Sequence, residues 1–461
     1  MKTILSASLA VTGAVGVAQN ILYSPDNYAF NALEHLSGIA PYFDPQDPTL
    51  DPAPPQGCNV TRAAYLVRHA AIYANDFDYE SYVEPFTDKL KNSSVDWKAT
   101  AGTAAPLDFL KDWQSPVEDG DLEELTKIGM LESMSLGVEL NRRYLGFRPP
   151  QKIWTSTAER TVKSAQSFIA GLDRQANESA VVQVSEGKKE GAASLTPYKG
   201  CPAYSSSRGS EQSSAWVKKY TAPILARLRA AAPQFNWTSS DVYGMQQLCG
   251  YESVIRGSSP FCDLKLFSPT EWLAFEYAND LMYFHNTGYG NEVSGHIGFP
   301  WVNATVDALL NDDDSAASAQ DLYVSFTHRE LPPTVLVALG LFNNTAFSAS
   351  DNQNATMPTD RVNYRRAWRS SHMLTFLTNI AVERMSCDSY GFEDAGSDFF
   401  RVLVNNSPQP LLGCDDGPGE TCARATFEKW IAERGQMFGQ FGEKCGVDYD
   451  NSTNVLGIYN A

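Results

Sequence analysis

Positive charge is in short supply: 36 lysines and arginines face 54 aspartates and glutamates, for a net charge of −18. With a pI near 4.8, the surface repels nucleic-acid backbones and anionic membranes, so neither is expected as a partner. An anionic small molecule would need a locally positive pocket. Metal-ligand patterns are missing as well. No C-x2-C pair occurs, and none of the six histidines lies at ligand spacing from a cysteine, so no metal or other cofactor is expected. After the N-terminus no stretch approaches the ~20 apolar residues of a transmembrane helix. Repeats, heptads and low-complexity tracts are also absent.

What is present points to the secretory route. Residues 1–18 place Lys2 before an apolar stretch from Ile4 to Val17, with small residues at Gly16 and Ala18, the pattern of a signal peptide. Eight cysteines form an even set, for which four disulfides are the simplest reading in an oxidising compartment. Nine Asn-x-Ser/Thr sequons start at Asn59, Asn92, Asn177, Asn236, Asn303, Asn343, Asn354, Asn405 and Asn451, each an acceptor of glycan if it lies on the surface. The acidic run Asn311 to Ser315 lacks the glycine and distant glutamate of a calcium loop and reads as solvated.

Short apolar runs with polar ends predict strands at Ala63–Val67, Lys152–Ser156, Leu322–Phe326 and Phe400–Val404. Helical spacing follows at Leu125–Tyr144 (N-cap Thr126), Ala158–Leu172 and Thr334–Leu341. Strands separated by helices imply a layered α/β core, with a mainly parallel sheet flanked by helices. Residues 196–314 turn Gly-, Ser- and aromatic-rich, with helical pieces at Ser214–Ala231 and Pro269–Phe284, and read as an inserted α-rich lobe; 19–195 and 315–461 form the core.

In open α/β sheets the polar residues just after the strands carry the chemistry. Arg68-His69-Ala70-Ala71-Ile72 follows the first strand and Thr327-His328-Arg329-Glu330 the third. Taken singly, His69 reads as a satisfied core histidine, Glu330 equally as a carboxylate at a helix start, and Trp154 as core. Together the segments resemble the RHGxRxP and second-histidine motifs of the histidine acid phosphatases, in their fungal phytase-like and inositol polyphosphate phosphatase-like branches. Leu125-Thr126 with Gly129, and Arg401 to Cys414, resemble further segments of that family.

The resemblance implies a phosphorylated small-molecule substrate and a phosphohistidine mechanism: His69 as nucleophile, Arg68 and His328 binding phosphate, and Glu330 donating the proton. It also implies the pairing Cys58–Cys387, Cys201–Cys445, Cys249–Cys262 and Cys414–Cys422. The chain departs from the pattern where Ile72 replaces the second arginine and Ala70 and Ala74 replace its neighbours. Trp154 is aligned with a third arginine, Arg160 keeps a later position of that motif, and Arg329 offers a replacement guanidinium. Two expectations follow: a secreted phosphomonoester hydrolase, or a relative that retains the fold but has been repurposed for acid–base chemistry on a non-phosphate substrate or for binding.

Overall fold

The computed structural model describes residues 30–45, 50–172, 179–313, 319–347, 356–388, 397–448 and 453–460. The signal peptide expected over 1–18 and the sequons at Asn177, Asn354 and Asn451 lie outside them. The chain divides into two units, Met1–Asn31 and Ala32–Ala461, and the elements below belong to the second.

The apolar run Ala63–Val67 is the buried middle of β1 (Cys58–Arg68). Beside it lie β2 (Lys152–Ser156), β3 (Ala180–Val184) and β4 (Leu322–Thr327), in the order β3-β2-β4-β1, all parallel. Parallel strands are covered on both faces, which is why β4 is buried at every position and reads as a mostly apolar run without alternation. On the other side of β1 come β5 (Asn379–Cys387), antiparallel to it, then β6 (Asp398–Val404), with β7 (Ser407–Gln409) and β8 (Cys422–Ala423) both pairing β6. The sheet is therefore mixed, with a parallel core.

Helix α1 (Lys127–Arg143) starts where the Thr126 side chain accepts the Gly129 N–H, and α2 (Glu159–Leu172) follows β2. Between β3 and β4 run α3 (Ser210–Ala231), α4 (Ser239–Arg256), α5 (Pro269–Asn286) and α6 (Ser294–Leu310). Capping boxes fix two of the starts, Thr238 with Asp241 for α4 and Ser268 with Glu271 for α5. Helices α3, α4 and α5 pack on one another, whereas α6 lies against β1 and α7 (Leu331–Leu339) and so sits with the sheet. Among the described residues no helix is long and apolar enough to cross a membrane.

All four disulfides form with the expected partners. One of them, Cys58–Cys387, joins directly paired residues of β1 and β5. One sequon is corrected. Asn405 is fully buried, accepts from Thr378 Oγ1 (2.9 Å) and Asn379 N (2.8 Å) and donates to His372 O (2.9 Å), so its amide is committed to the fold. Asn59, Asn92 and Asn236 are exposed.

Candidate active site

Strands β1 and β4 are parallel neighbours with Arg68 opposite Thr327, so the next residues, His69 and His328, leave the sheet side by side at its carboxyl edge. Their rings lie 5.8 Å apart, centroid to centroid. They share a cavity of about 40 Å³ with Arg68, Ile72, Asn75, Glu123, Arg160, Tyr251, Arg329, Glu330 and Phe376, room for a few water molecules. Tyr251 comes from α4, so the cavity lies between the strand ends and the helices that follow β3. A larger cleft of about 1160 Å³, lined in part by Trp97, Lys98 and Trp113, includes none of the residues that the sequence singles out.

The loop after His69 is held by the start of α1. Ala71 O accepts Thr126 N at 2.9 Å, Tyr73 N donates to Glu124 O at 3.0 Å, and Glu123 N donates to Ala74 O at 2.9 Å. Ile72 and Leu125 complete this short antiparallel ribbon. Gly129 permits it, because a Cβ there would fall 2.4 Å from Ala71 O. The Leu-Thr-x-x-Gly pattern thus sets the distance between the helix and the histidine loop.

A carbonyl can only accept, so the 2.9 Å contact between His69 Nδ1 and Ala70 O makes Nδ1 the protonated nitrogen and leaves the lone pair on Nε2. Burial, followed by Arg68 and Arg160, holds this imidazole well below its ordinary pKa. Burial also lowers His328, against the pull of Glu186. His328 Nε2 lies 3.2 Å from Ser156 Oγ and 3.3 Å from Glu186 Oε1. Because Ser156 Oγ donates onward to Thr161 Oγ1 at 3.0 Å, Nε2 is the protonated nitrogen there too.

The cations are all held. Arg68 Nη1 donates to Gly38 O (2.6 Å) and to Leu374 O, and its guanidinium sits 4.5 Å over Phe376. Arg160 Nη1 is 2.7 Å from Glu123 Oε2, and Arg329 Nε donates to Glu330 Oε1 at 3.2 Å. Burial opposes ionisation of Glu330, yet Arg329 and His328 keep its pKa below the ordinary value. Hydrogen-bonding capacity is nevertheless left over: Arg68 Nε, Asn75 Oδ1, Glu123 Oε2, Arg160 Nε and His328 Nδ1 are buried without a hydrogen-bond partner.

Of the residues named from the sequence, Arg68, His69, Ile72, Arg160, His328, Arg329 and Glu330 all line the cavity. Trp154 does not. It lies two residues short of the end of β2, about 7 Å back along the strand, and packs against Tyr323 (6.0 Å) and Tyr459 (4.8 Å) in the core. The guanidinium that reaches the site from this segment is Arg160, in the first turn of α2. The cavity residues Glu123, Asn75, Tyr251 and Phe376 were not anticipated, nor were Glu186 and Ser156 behind His328. Asn75 and Glu123 adjoin segments that the sequence marks, Ser156 ends one, and Glu186 follows β3 by two residues; Tyr251 and Phe376 carry no local signal.

Comparison with known proteins gives a consistent result. The family model described as the histidine phosphatase superfamily, branch 2, matches residues 59–405. A thiamine-repressible acid phosphatase of Schizosaccharomyces pombe is 29% identical over 420 residues, covering 88% of this chain and 87% of its own. A phytase of Candida albicans is 28% identical over 440 residues, covering 91% and 88%. Among solved structures, the phytase from D. castellii superposes with a TM-score of 0.82 at 23% identity, covering 96% of this chain and 94% of that one. A multiple inositol polyphosphate phosphatase of Bifidobacterium longum gives 0.56 at 14% identity, covering 82% and 93%. Both structural likenesses concern the fold.

Proposed function

The chain belongs to branch 2 of the histidine phosphatase superfamily, and from that premise we propose that it hydrolyses phosphomonoesters through a phosphohistidine on His69. The observation that carries this reading is the pairing of His69, neutral and with its lone pair on Nε2, with Arg68, Arg160 and Arg329 around one cavity. An imidazole that stays neutral in acid is a competent nucleophile there, and guanidinium forks match phosphate oxygens.

In the first step Nε2 bonds to phosphorus, the P–O ester bond breaks and the leaving oxygen takes a proton from Glu330. In the second, water attacks the phosphohistidine, Glu330 recovers a proton from it, and phosphate leaves. Arg329 and His328 favour the ionised form of Glu330 against its burial. An entering phosphate repels the carboxylate and competes for Arg329, and both effects raise its pKa toward the protonated form that the first step needs. The same anion favours protonation of His328, which then donates from the otherwise unpartnered Nδ1 while Glu186 retains Nε2–H.

Residues 196–314 are read as an inserted lobe, whose helices α3 to α5 cover this edge of the sheet and contribute Tyr251. Secretion is supported by four disulfides, exposed sequons and the N-terminal pattern. The test is turnover of an aryl phosphate by the purified protein between pH 3 and 7. The expected result is hydrolysis, abolished in His69→Ala and lowered on the order of 10²-fold in kcat in Glu330→Gln. No hydrolysis of any phosphomonoester would leave the repurposed relative as the better account.

A further inference from the structure

Glu123 combines a strained backbone with one carboxylate oxygen that the contacts holding its loop leave unused. Its φ is +64°, a left-handed conformation that glycine adopts freely and that strains most other residues. The strain is held in place from both sides. The backbone N–H is committed to Ala74 O at 2.9 Å, while Oε1 accepts Asn75 Nδ2 at 2.7 Å and Asp76 N at 3.3 Å. With Oε1 fixed, Oε2 is turned toward the cavity, 2.7 Å from Arg160 Nη1.

The pair is close but out of line: neither Glu123 Oε2 nor Arg160 Nε makes a hydrogen bond. Both side chains remain partly open, 22% and 23% exposed. A carboxylate and a phosphate face present the same two-oxygen fork to a guanidinium. Three guanidiniums and two carboxylates line the cavity, so Glu123 and Glu330 together cancel most of the positive field that a phosphoryl group would meet.

Resting on the phosphatase reading above, we propose that Glu123 is a specificity-determining residue whose carboxylate occupies, at Arg160, the place an oxyanion takes. Phosphate binds only by opening the Glu123–Arg160 pair. The site is thereby set against doubly charged oxyanions more strongly than against singly charged ones, because repulsion from the fixed carboxylate scales with the ligand's charge.

The experiment is calorimetric titration of the whole protein with inorganic phosphate at about pH 5, where the monoanion dominates, and about pH 8, where the dianion does. Glu123→Gln keeps the shape and the Asn75 contact. It is expected to bind phosphate about tenfold tighter or more, with a larger gain at the higher pH and none once Arg160→Ala is added. Glu123→Gly, which removes the carboxylate and suits a positive φ, should show the same gain and serves if the glutamine variant does not fold. A folded variant that binds phosphate no tighter than the parent overturns the proposal and makes Glu123 a positioning residue for Arg160. Absence of phosphate binding in the parent and in both variants removes the phosphatase reading itself, and this proposal with it.

Discussion

Among the described residues, the clusters of opposite charges around Arg366 and around His69 differ in what they leave unmade. Around Arg366 the guanidinium and both of its carboxylates have their partners, the second oxygen of Glu276 lying 3.3 Å from His35 Nδ1. Arg366 Nε donates to Asp280 Oδ2 (2.5 Å), Nη2 to Glu276 Oε2 (2.7 Å) and Nη1 to Asn363 O (3.0 Å), while Ser370 gives Asp280 Oδ1 both its N–H and its hydroxyl. All three charged side chains are at most 3% exposed. Around His69 the ion pairs are partly open, and five buried nitrogen or oxygen atoms of the cavity residues have no hydrogen-bond partner. Pairing of charges is thus no mark of function by itself; unspent hydrogen-bonding capacity facing a cavity is.

The largest expected effect breaks the closed cluster. Arg366→Ala leaves Glu276 and Asp280 buried without their cation and should cost about 3–5 kcal/mol of stability, read from denaturant unfolding. Any folded fraction should keep its affinity for phosphate. Comparable loss from Arg160→Ala would erase the distinction between the clusters.

A smaller effect sharpens the open cluster. Ile72 is a buried wall of the cavity, and Ile72→Arg adds a guanidinium where the family pattern has one. Hydrolysis of an aryl phosphate should rise by about tenfold, the equivalent of ~1.4 kcal/mol, and the gain should vanish in the His69→Ala background. A folded variant with unchanged kcat/KM would show that Arg160 and Arg329 already supply the field.

Acid provides the smallest effect. His69 and His328 have depressed pKa values in the folded protein, so below about pH 6.5 the unfolded chain binds more protons than the native one. Their contribution is fully present above that pH and is lost as pH falls toward the folded values, by at most about 1.4 kcal/mol per pH unit for each imidazole. Unfolding free energies at pH 7 and pH 5 should therefore differ less in His328→Asn than in the parent. An equal pH slope in both proteins would remove His328 from this account.

The strands that the sequence marks are apolar and buried; β3, apolar but partly exposed at the sheet edge, it does not mark. Lys152–Ser156 was placed at its observed bounds, and Leu322–Phe326 missed one residue. β5 escaped because its middle carries Glu383, fully buried and bound by Arg401 Nε (2.6 Å), Arg143 Nε (2.9 Å) and Tyr144 Oη (2.5 Å). A charge satisfied by tertiary partners looks, in sequence, like a loop. α4 escaped for a related reason: Gln246, Gln247, Glu252 and Ser253 are buried along with its apolar residues, so no polar face exists to reveal the helical period. Gly295, Gly298 and Pro300 disguised α6 in the same way. At the site, residues adjoining a strand end, Arg68, His69 and His328, were legible. Glu123 and Glu186 belong to the site only through contacts made by folding, and Trp154, matched by resemblance to an arginine at the end of the second strand, lies two residues short of that end and packs into the core.

The central claim, that His69 carries the phosphoryl group, is tested most directly by trapping it. The protein is quenched with alkali during turnover of a phosphomonoester, digested, and its peptides weighed by mass spectrometry. The account predicts one added phosphoryl group on the peptide containing His69, absent from His69→Ala. Turnover with that peptide unmodified and a phosphoryl group elsewhere, or hydrolysis that persists in His69→Ala, would contradict it.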